Sequence, residues 1–439
     1  MKIDTGTTAW MITATALVLL MTPGLAFFYG GMTRAKSVLN MMMMSFVSII
    51  TITLAWVLYG HSLAFDAFGD GDNVINKLVG GGDAIGLQSL IDTPTADDGT
   101  GMPSLVFSAF QLTFAIITVA LISGAIADRA KFGAWVVFGI AWATLVYFPV
   151  AHWVWGGGWL ANLGIEDFAG GTVVHVNAGA AGLALAFVLG KRTGWRKDPM
   201  RPHNLTLVLL GVGLLWFGWF GFNAGSELAV DGTAGLAFMN TQVATAAAAG
   251  AWILVEKLRD GHSTTLGVAS GAVAGLVAIT PACGFVDPWA ALVLGLLAGA
   301  VCAYAVGLKY RLGFDDSLDV VGVHLVGGAI GAVSLGLIAR YPFADGQNQG
   351  LIYGGPISQL GVQALGPVAV GLYSFIMAYV IGKIIDKTMG FRIEQEDEVT
   401  GIDITTHAET GYDLGIVHSS GVTSVNGPVS AAQTKKVDA

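Results

Sequence analysis

Charge is scarce in this chain. Of 439 residues only 12% are Asp, Glu, Lys or Arg, while 54% are hydrophobic. A soluble protein of that length needs far more charge to cover its surface, so a soluble globular class is excluded. Cysteine is nearly absent as well. Cys283 and Cys302 both fall in apolar stretches, which argues against a disulfide framework and a cysteine metal site. No dense Lys/Arg run occurs and the formal net charge is −9, so no nucleic-acid partner is indicated. The N-terminus lacks the usual pattern of a cleavable signal peptide: Lys2 and Asp4 precede an apolar stretch that runs from Ala9 past Gly24. No Ser/His/Asp set, metal cluster or phosphate loop is visible, so neither enzyme chemistry nor a cofactor is expected.

What is abundant is glycine, 62 residues of it, inside long apolar runs, with a mean hydropathy of +0.68. That combination points to an all-α polytopic membrane protein. Windows long enough to cross roughly 30 Å of hydrocarbon fall near 8–31, 38–60, 104–127, 133–151, 171–190, 203–225, 236–256, 264–283, 288–306, 320–339 and 365–385. The expectation is eleven transmembrane helices, forming a transport domain over 1–385, with a separate C-terminal region over 386–439. The polar end of that region, after about Gly415, reads as disordered.

Positive charge sets the orientation. Loops after odd-numbered spans hold thirteen Lys and Arg, five of them between Lys191 and Arg201, against Lys77 and Arg340 after even-numbered spans. The N-terminus is therefore expected outside and the C-terminus in the cytoplasm.

The fifth and tenth spans share a pattern. VHVNAGAAG (Val174 to Gly182) and VHLVGGAIG (Val323 to Gly331) both fit V-H-x-x-x-G-A-x-G, and each histidine follows an aspartate, Asp167 or Asp316, by eight residues. A weaker echo joins GLAFFYGG (Gly24 to Gly31) to GWFGFNAG (Gly218 to Gly225). Spans 1–5 (about 8–190) and 6–10 (about 203–339) thus read as two repeats. Five is odd, so the copies are inverted, and such repeats place a pathway at their interface near the midplane. The eleventh helix stands outside them.

Of the eight histidines, His175 and His324 alone lie well inside the expected spans. Either one by itself reads as a buried structural group. Two at equivalent positions of an inverted pair read as a shared element of a transport path, because ionisable groups at that depth are functional candidates by default. A close pair of imidazoles disfavours double ionisation, so at least one ring is neutral, with one nitrogen donating and the other accepting. Such a pair suits a small neutral amine or a passing proton and poorly seats a bare cation or a metal.

Aromatic residues gather near the ends of several spans, in FQLTF (Phe110 to Phe114), AHWVWGGGW (Ala151 to Trp159) and GFNAGS (Gly221 to Ser226). One reading is an interfacial belt. The other is a small-cation trap, in which ring faces attract a desolvated cation by up to about 2 kcal/mol.

The stretches AHWVWGGGWL, DFAGGTVVH, LLWFGWFGFNAGS and DDSLDVVGVH resemble those of the ammonium transporter family (Amt/Mep/Rh), on its prokaryotic Amt branch. The resemblance implies a homotrimer in the plasma membrane, with one pore per subunit. It also implies that Trp155, Phe110 and Ser226 recruit ammonium, that Phe114 and Phe222 are stacked gate rings, and that His175 and His324 are the twin pore histidines. Asp167 corresponds to an aspartate needed for transport, and its place at the start of span 5 also suits a helix cap. Trp219 and Tyr147 are secondary candidates. The stretch GIDITTHAETGYD, starting at Gly401, resembles the family's C-terminal region, which can receive a PII-type regulator at the cytoplasmic face. The activity implied is ammonium recruitment, deprotonation and conduction of ammonia; whether the proton crosses separately is left open by the sequence, and the paired imidazoles offer it a route. A Rhesus-type gas channel and an ammonium sensor with the tail as output are the rival readings.

Overall fold

The computed structural model describes residues 2–68, 73–92, 100–340 and 348–412. The tail after Gly415 lies outside the described residues. Among those described, ten helices are long and apolar enough to cross a bilayer. They are α1 (Thr5–Met32), α2 (Ala35–Phe65), α3 (Ser104–Ile126), α4 (Phe132–Asn162), α5 (Gly171–Leu189), α6 (Leu205–Gly225), α7 (Gly232–Asp260), α9 (Pro288–Leu312), α10 (Val321–Ile338) and α11 (Ile357–Thr388). Between α7 and α9 runs α8 (Thr265–Ile279), also apolar but shorter. Pro281, which has no N–H to continue the helix, follows its end closely.

Polar side chains fix where these helices begin. Asp4, Asn204, Asp231, Thr264 and Asp287 each accept a main-chain N–H in the first turn of α1, α6, α7, α8 and α9, supplying partners that a helix N-terminus lacks. Several helices outrun their expected ends. α2 continues to Phe65 instead of 60, α4 to Asn162 instead of 151, and α11 covers Ile357–Thr388 instead of 365–385. The extensions hold polar groups that are paired internally: His152 with two backbone carbonyls, and Gln359 with the Gly164 carbonyl at 3.0 Å. His61 and His152 are consequently also buried on apolar helices, each near a helix end.

Small residues let the helices close on one another, which replaces the hydrophobic drive missing in lipid. α1 runs along α6, and a Cβ at Gly31 would lie 2.7 Å from the Asn204 carbonyl oxygen. α5 crosses α10 and lies against α11. Leu209, Phe217, Phe238, Val293 and Ile376 turn outward from the bundle, as expected of an envelope facing hydrocarbon.

The chain after α11 folds back over one end of the bundle. Lys131 N–H donates to Phe391 O at 2.9 Å and Ile393 N–H to Arg129 O at 3.0 Å. Glu398, 1% exposed, accepts from Thr193 N–H, Thr193 Oγ1 and Arg392 Nη2 at 2.7, 3.0 and 2.7 Å. Asp403 accepts from Leu39 and Asn40 N–H at 2.9 and 2.8 Å. Residues 386–412 are thus built into the end of the bundle that carries most of the arginines.

Candidate functional site

The opposite end of the bundle is organised by Asp167. Gly170, at φ +109°, turns the chain so that four successive N–H groups converge on the Asp167 carboxylate. Gly170 and Gly171 donate to Oδ1 at 3.0 and 2.6 Å, and Thr172 and Val173 to Oδ2 at 2.9 and 3.0 Å. Burial pushes this carboxyl up to about 6 against the pull of those four donors, which leaves it a carboxylate at neutral pH. Its main-chain oxygen accepts from Trp155 Nε1 at 2.8 Å. The residue that starts α5 therefore also fixes an indole on α4.

From that indole a column of rings descends into the bundle. Phe114 meets Trp155 edge-on with centroids 5.9 Å apart, and Phe110 touches Phe114 at 4.9 Å. Phe114 and Phe222 stack at 4.2 Å and 30°. Phe110, Phe114 and Phe222 are fully buried, whereas Trp155 and Ser226 are only partly so. Ser226 Oγ donates to Phe222 O at 2.8 Å, leaving its lone pairs free to accept from a guest.

Below the stacked phenylalanines lie the two histidines. His175 is 6.1 Å from Phe222 and stacks on Trp219 at 5.3 Å and 20°. His175 and His324 stack at 5.3 Å, with Nδ1 facing Nδ1 at 3.2 Å. Each histidine sits in a widened π turn that opens its helix, Gly171–Val176 in α5 and Val321–Leu325 in α10. Such turns recur at functional sites. Leu25, Ile117, Leu121, Leu215 and Val273 wall the space beside the two rings, a cavity of about 10 Å³, roughly enough for a single small molecule.

The facing nitrogens constrain the protons. One Nδ1 donates and the other accepts, so one ring has its remaining proton on Nδ1 and the other on Nε2. The pair then presents one Nε2 acceptor and one Nε2 donor. His175 Nε2 is buried without a protein partner.

Of the sequence candidates, Trp155, Phe110, Phe114, Phe222, Trp219, His175 and His324 lie in one continuous run of contacts. Ser226 and Asp167 are attached to it by hydrogen bonds. Tyr147 lies in a π turn of α4, where its ring meets Phe148 at 6.1 Å. Thr280 escaped the sequence reading: its Oγ1 accepts from Trp219 Nε1 at 2.9 Å and donates to Leu276 O at 2.7 Å. Nothing in a lone threonine before a proline flags that role. At the arginine end Asp316 repeats the Asp167 arrangement in part, accepting from Val320 and Val321 N–H at 3.1 and 2.8 Å.

Residues 9–412 match the family model described as the Ammonium Transporter Family. An ammonium transporter of Mycobacterium tuberculosis (strain ATCC 25618 / H37Rv) is 54% identical over 445 residues, covering 95% of this chain and 92% of its own. One from Bacillus subtilis (strain 168) is 47% identical over 408 residues, covering 93% and 98%. Among solved structures, Saccharomyces cerevisiae Mep2 superposes with a TM-score of 0.82 at 33% identity, over 90% of this chain and 89% of that one. A structure described as a sensor Amt protein gives 0.83 at 29% identity, over 91% and 98%.

Proposed function

This chain belongs to the ammonium transporter family and is a multi-pass membrane protein that transports ammonium/ammonia, and from that premise we propose how its residues divide the work. Ammonium is recruited at Trp155, Phe110 and Ser226, where ring faces attract the cation and the serine hydroxyl accepts a hydrogen bond. It loses a proton near the Phe114/Phe222 gate, and that proton crosses separately by way of the paired imidazoles, so that net transport carries charge. Ammonia then passes His175 and His324, accepting from one Nε2–H and donating to the other Nε2. Asp167 shapes the site through Trp155 and the start of α5, Trp219 backs His175, and Tyr147 keeps a secondary place.

Selectivity follows from chemistry. Potassium and ammonium carry equal charge, but potassium neither donates hydrogen bonds nor sheds a proton. An apolar pore charges any bare cation many kcal/mol of desolvation, while neutral ammonia enters readily. The observation that carries this reading is the 3.2 Å approach of two imidazoles directly beneath a closed stack of phenylalanines.

The same reading extends to the whole molecule. α8 crosses the membrane as an eleventh span, in a transport domain over 1–385. α1 to α5 and α6 to α10 are inverted repeats, supported by the matched placement of Asp167–His175 and Asp316–His324. The N-terminus is outside, so the Trp155 end faces out and the arginine end faces the cytoplasm. Three copies assemble, and a PII-type regulator docks at the cytoplasmic face.

Reconstituted protein given ammonium pulses tests the core of the proposal. The wild type passes current that excludes potassium. If His175→Ala/His324→Ala carried ammonium as before with potassium still excluded, the twin-histidine assignment would be wrong.

A further inference from the structure

We propose that His152 is a positioning residue of the ammonium site, a proton-dependent clasp that holds the end of α4 bearing Trp155 against α2 and the connection after it. The proposal rests on the reading above, in which Trp155 lines the recruitment site.

The clasp is defined by what its ring faces. His152 is 2% exposed and has no part in the ring column. Its Nδ1 lies 3.0 Å from Ala64 O, on α2, and its Nε2 lies 2.6 Å from Asn76 O, in the connection that follows α2. Carbonyl oxygens only accept. A neutral imidazole carries a single N–H, so it satisfies one carbonyl and turns a lone pair toward the other. Both contacts are met together only when the ring carries two protons.

The neighbours show what the clasp holds. Trp153 Nε1 donates to Leu78 O at 2.7 Å and Trp159 N–H to Lys77 O at 3.0 Å. With His152, α4 thus grips three successive carbonyls of the connection. Trp155 follows by one turn, its N–H on Ala151 O at 2.8 Å and its indole on Asp167. The glycine run of AHWVWGGGW belongs to the same device: a Cβ at Gly156 would overlap the Ala64 oxygen and lie 2.7 Å from His152 Nδ1.

α2 contributes His61, and Asp66, just past its end, has its carboxylate taken up by Ser62 Oγ and Ala84 N–H. Among its described residues the connection contributes Lys77, Asp83 and Asp92, of which Lys77 lines the same outward cleft as His152. The stretch of α4 around the histidine, Phe148–Val154, holds no carboxylate. Glu227, beside Ser226, titrates with the opposite effect. Burial and the neighbouring Asp231 push its carboxyl up to about 7, and its ionisation as pH rises draws a cation in.

The test is the apparent KM of ammonium current in the reconstituted full chain, as the pH bathing the Trp155 end is raised from about 5.5 to 8. Over this range ammonium itself stays largely cationic. Loss of one hydrogen bond to a charged donor predicts a roughly ten-fold rise in KM for the wild type, with maximal current largely kept. His152→Gln and Gly156→Ala should both show the high KM at every pH, which a purely structural defect would not produce without also lowering the maximal current. The Glu227 and Asp167 titrations are common to all three proteins, so the ratio of variant to wild-type KM isolates the clasp. It should fall from roughly ten at about pH 5.5 toward about one at pH 8. A pH-independent ratio for His152→Gln, or for Gly156→Ala where the first variant does not fold, overturns the clasp. Absence of both ammonium current and ammonia uptake in the wild type overturns the transport reading beneath it, a distinct result.

Discussion

Gly328 of α10 packs onto Gly171 of α5, so closely that a Cβ at 328 would lie 2.8 Å from the Gly171 carbonyl oxygen and 3.0 Å from His175 Cβ. Gly179 of α5 makes the reciprocal contact, its Cβ position lying 2.5 Å from Leu325 N. Each glycine follows its histidine by four residues, about one helical turn. The crossing of the two helices at these glycines is what brings the imidazoles to 3.2 Å. Gly328→Val should therefore part the rings and cut ammonium current by roughly ten-fold or more, the scale on which misplaced pore or catalytic groups lose rate. Gly213→Ala, at a position with open space around it, serves as the control and should retain current. Current recorded from equal amounts of each variant in vesicles decides the matter.

Thr280 ties the ring column to the neighbouring helices. It accepts the Trp219 indole N–H and lies 3.3 Å from Asn223 Oδ1, and Asn223 Nδ2 donates to Thr241 Oγ1 at 2.9 Å. Thr280→Val keeps the shape and leaves the indole N–H buried without a partner, a cost of about 1–3 kcal/mol. Trp219 stacks on His175, so the loss should lower both the thermal midpoint in detergent and the ammonium current. Thr280→Ser restores the acceptor and should recover both.

The repeated V-H-x-x-x-G-A-x-G singles out both histidines and both crossing glycines, because one pattern encodes the ring and the gap that admits its partner. The all-helical membrane class is equally plain, since apolar run length is a local property. Helix ends were harder to read. His152 and Gln359 look like loop residues in a hydropathy reading, and only their distant carbonyl partners, Ala64, Asn76 and Gly164, make them helical and buried. The docking of Glu398 and Asp403 joins residues more than 200 positions from their partners, and no local pattern announces it. Thr280 is invisible for the same reason.

Asp167 serves α5 with its two carboxylate oxygens and Trp155 with its main-chain oxygen, so its variants should separate the effects. Asp167→Asn keeps one carboxamide oxygen for the N–H groups at the start of α5, whereas Asp167→Ala leaves four N–H groups without their acceptor. The alanine variant should lose about 2 kcal/mol, the upper range for a helix cap, and the asparagine variant less. Because Trp155 is held by the main-chain oxygen of the same residue, the apparent KM for ammonium should rise in the same order, alanine above asparagine. Paired thermal melts and concentration-dependent currents check it. Equal KM values in all three proteins would disconnect the cap from the recruitment site.

At the arginine end, Asp315 and Arg192 form a buried two-pronged pair: Nη2 lies 2.9 Å from Oδ1 and Nε 2.9 Å from Oδ2, and Arg192 N–H adds a third bond to Oδ2 at 2.8 Å. Burial alone would raise this carboxyl, but the hydrogen bonds and charge of Arg192, with Arg129 beside it, outweigh burial and hold it below the ordinary carboxylate range. The unfolded chain binds that proton more readily than the native one. The pair's stabilisation is thus complete above the unfolded value, about 3.9, and drains away as pH falls below it toward the depressed native value. The contribution of this pair to the thermal midpoint should hold from neutral pH down to about 4 and then fall in the wild type. Asp315→Ala leaves the Arg192 charge short of its main partner, with Asp128 at 3.2 Å as the remaining one, and should cost about 3 kcal/mol at neutral pH. Having no carboxyl at 315 to protonate, that variant should show a shallower acid decline than the wild type. Equal slopes in the two proteins would assign the acid sensitivity to other carboxylates.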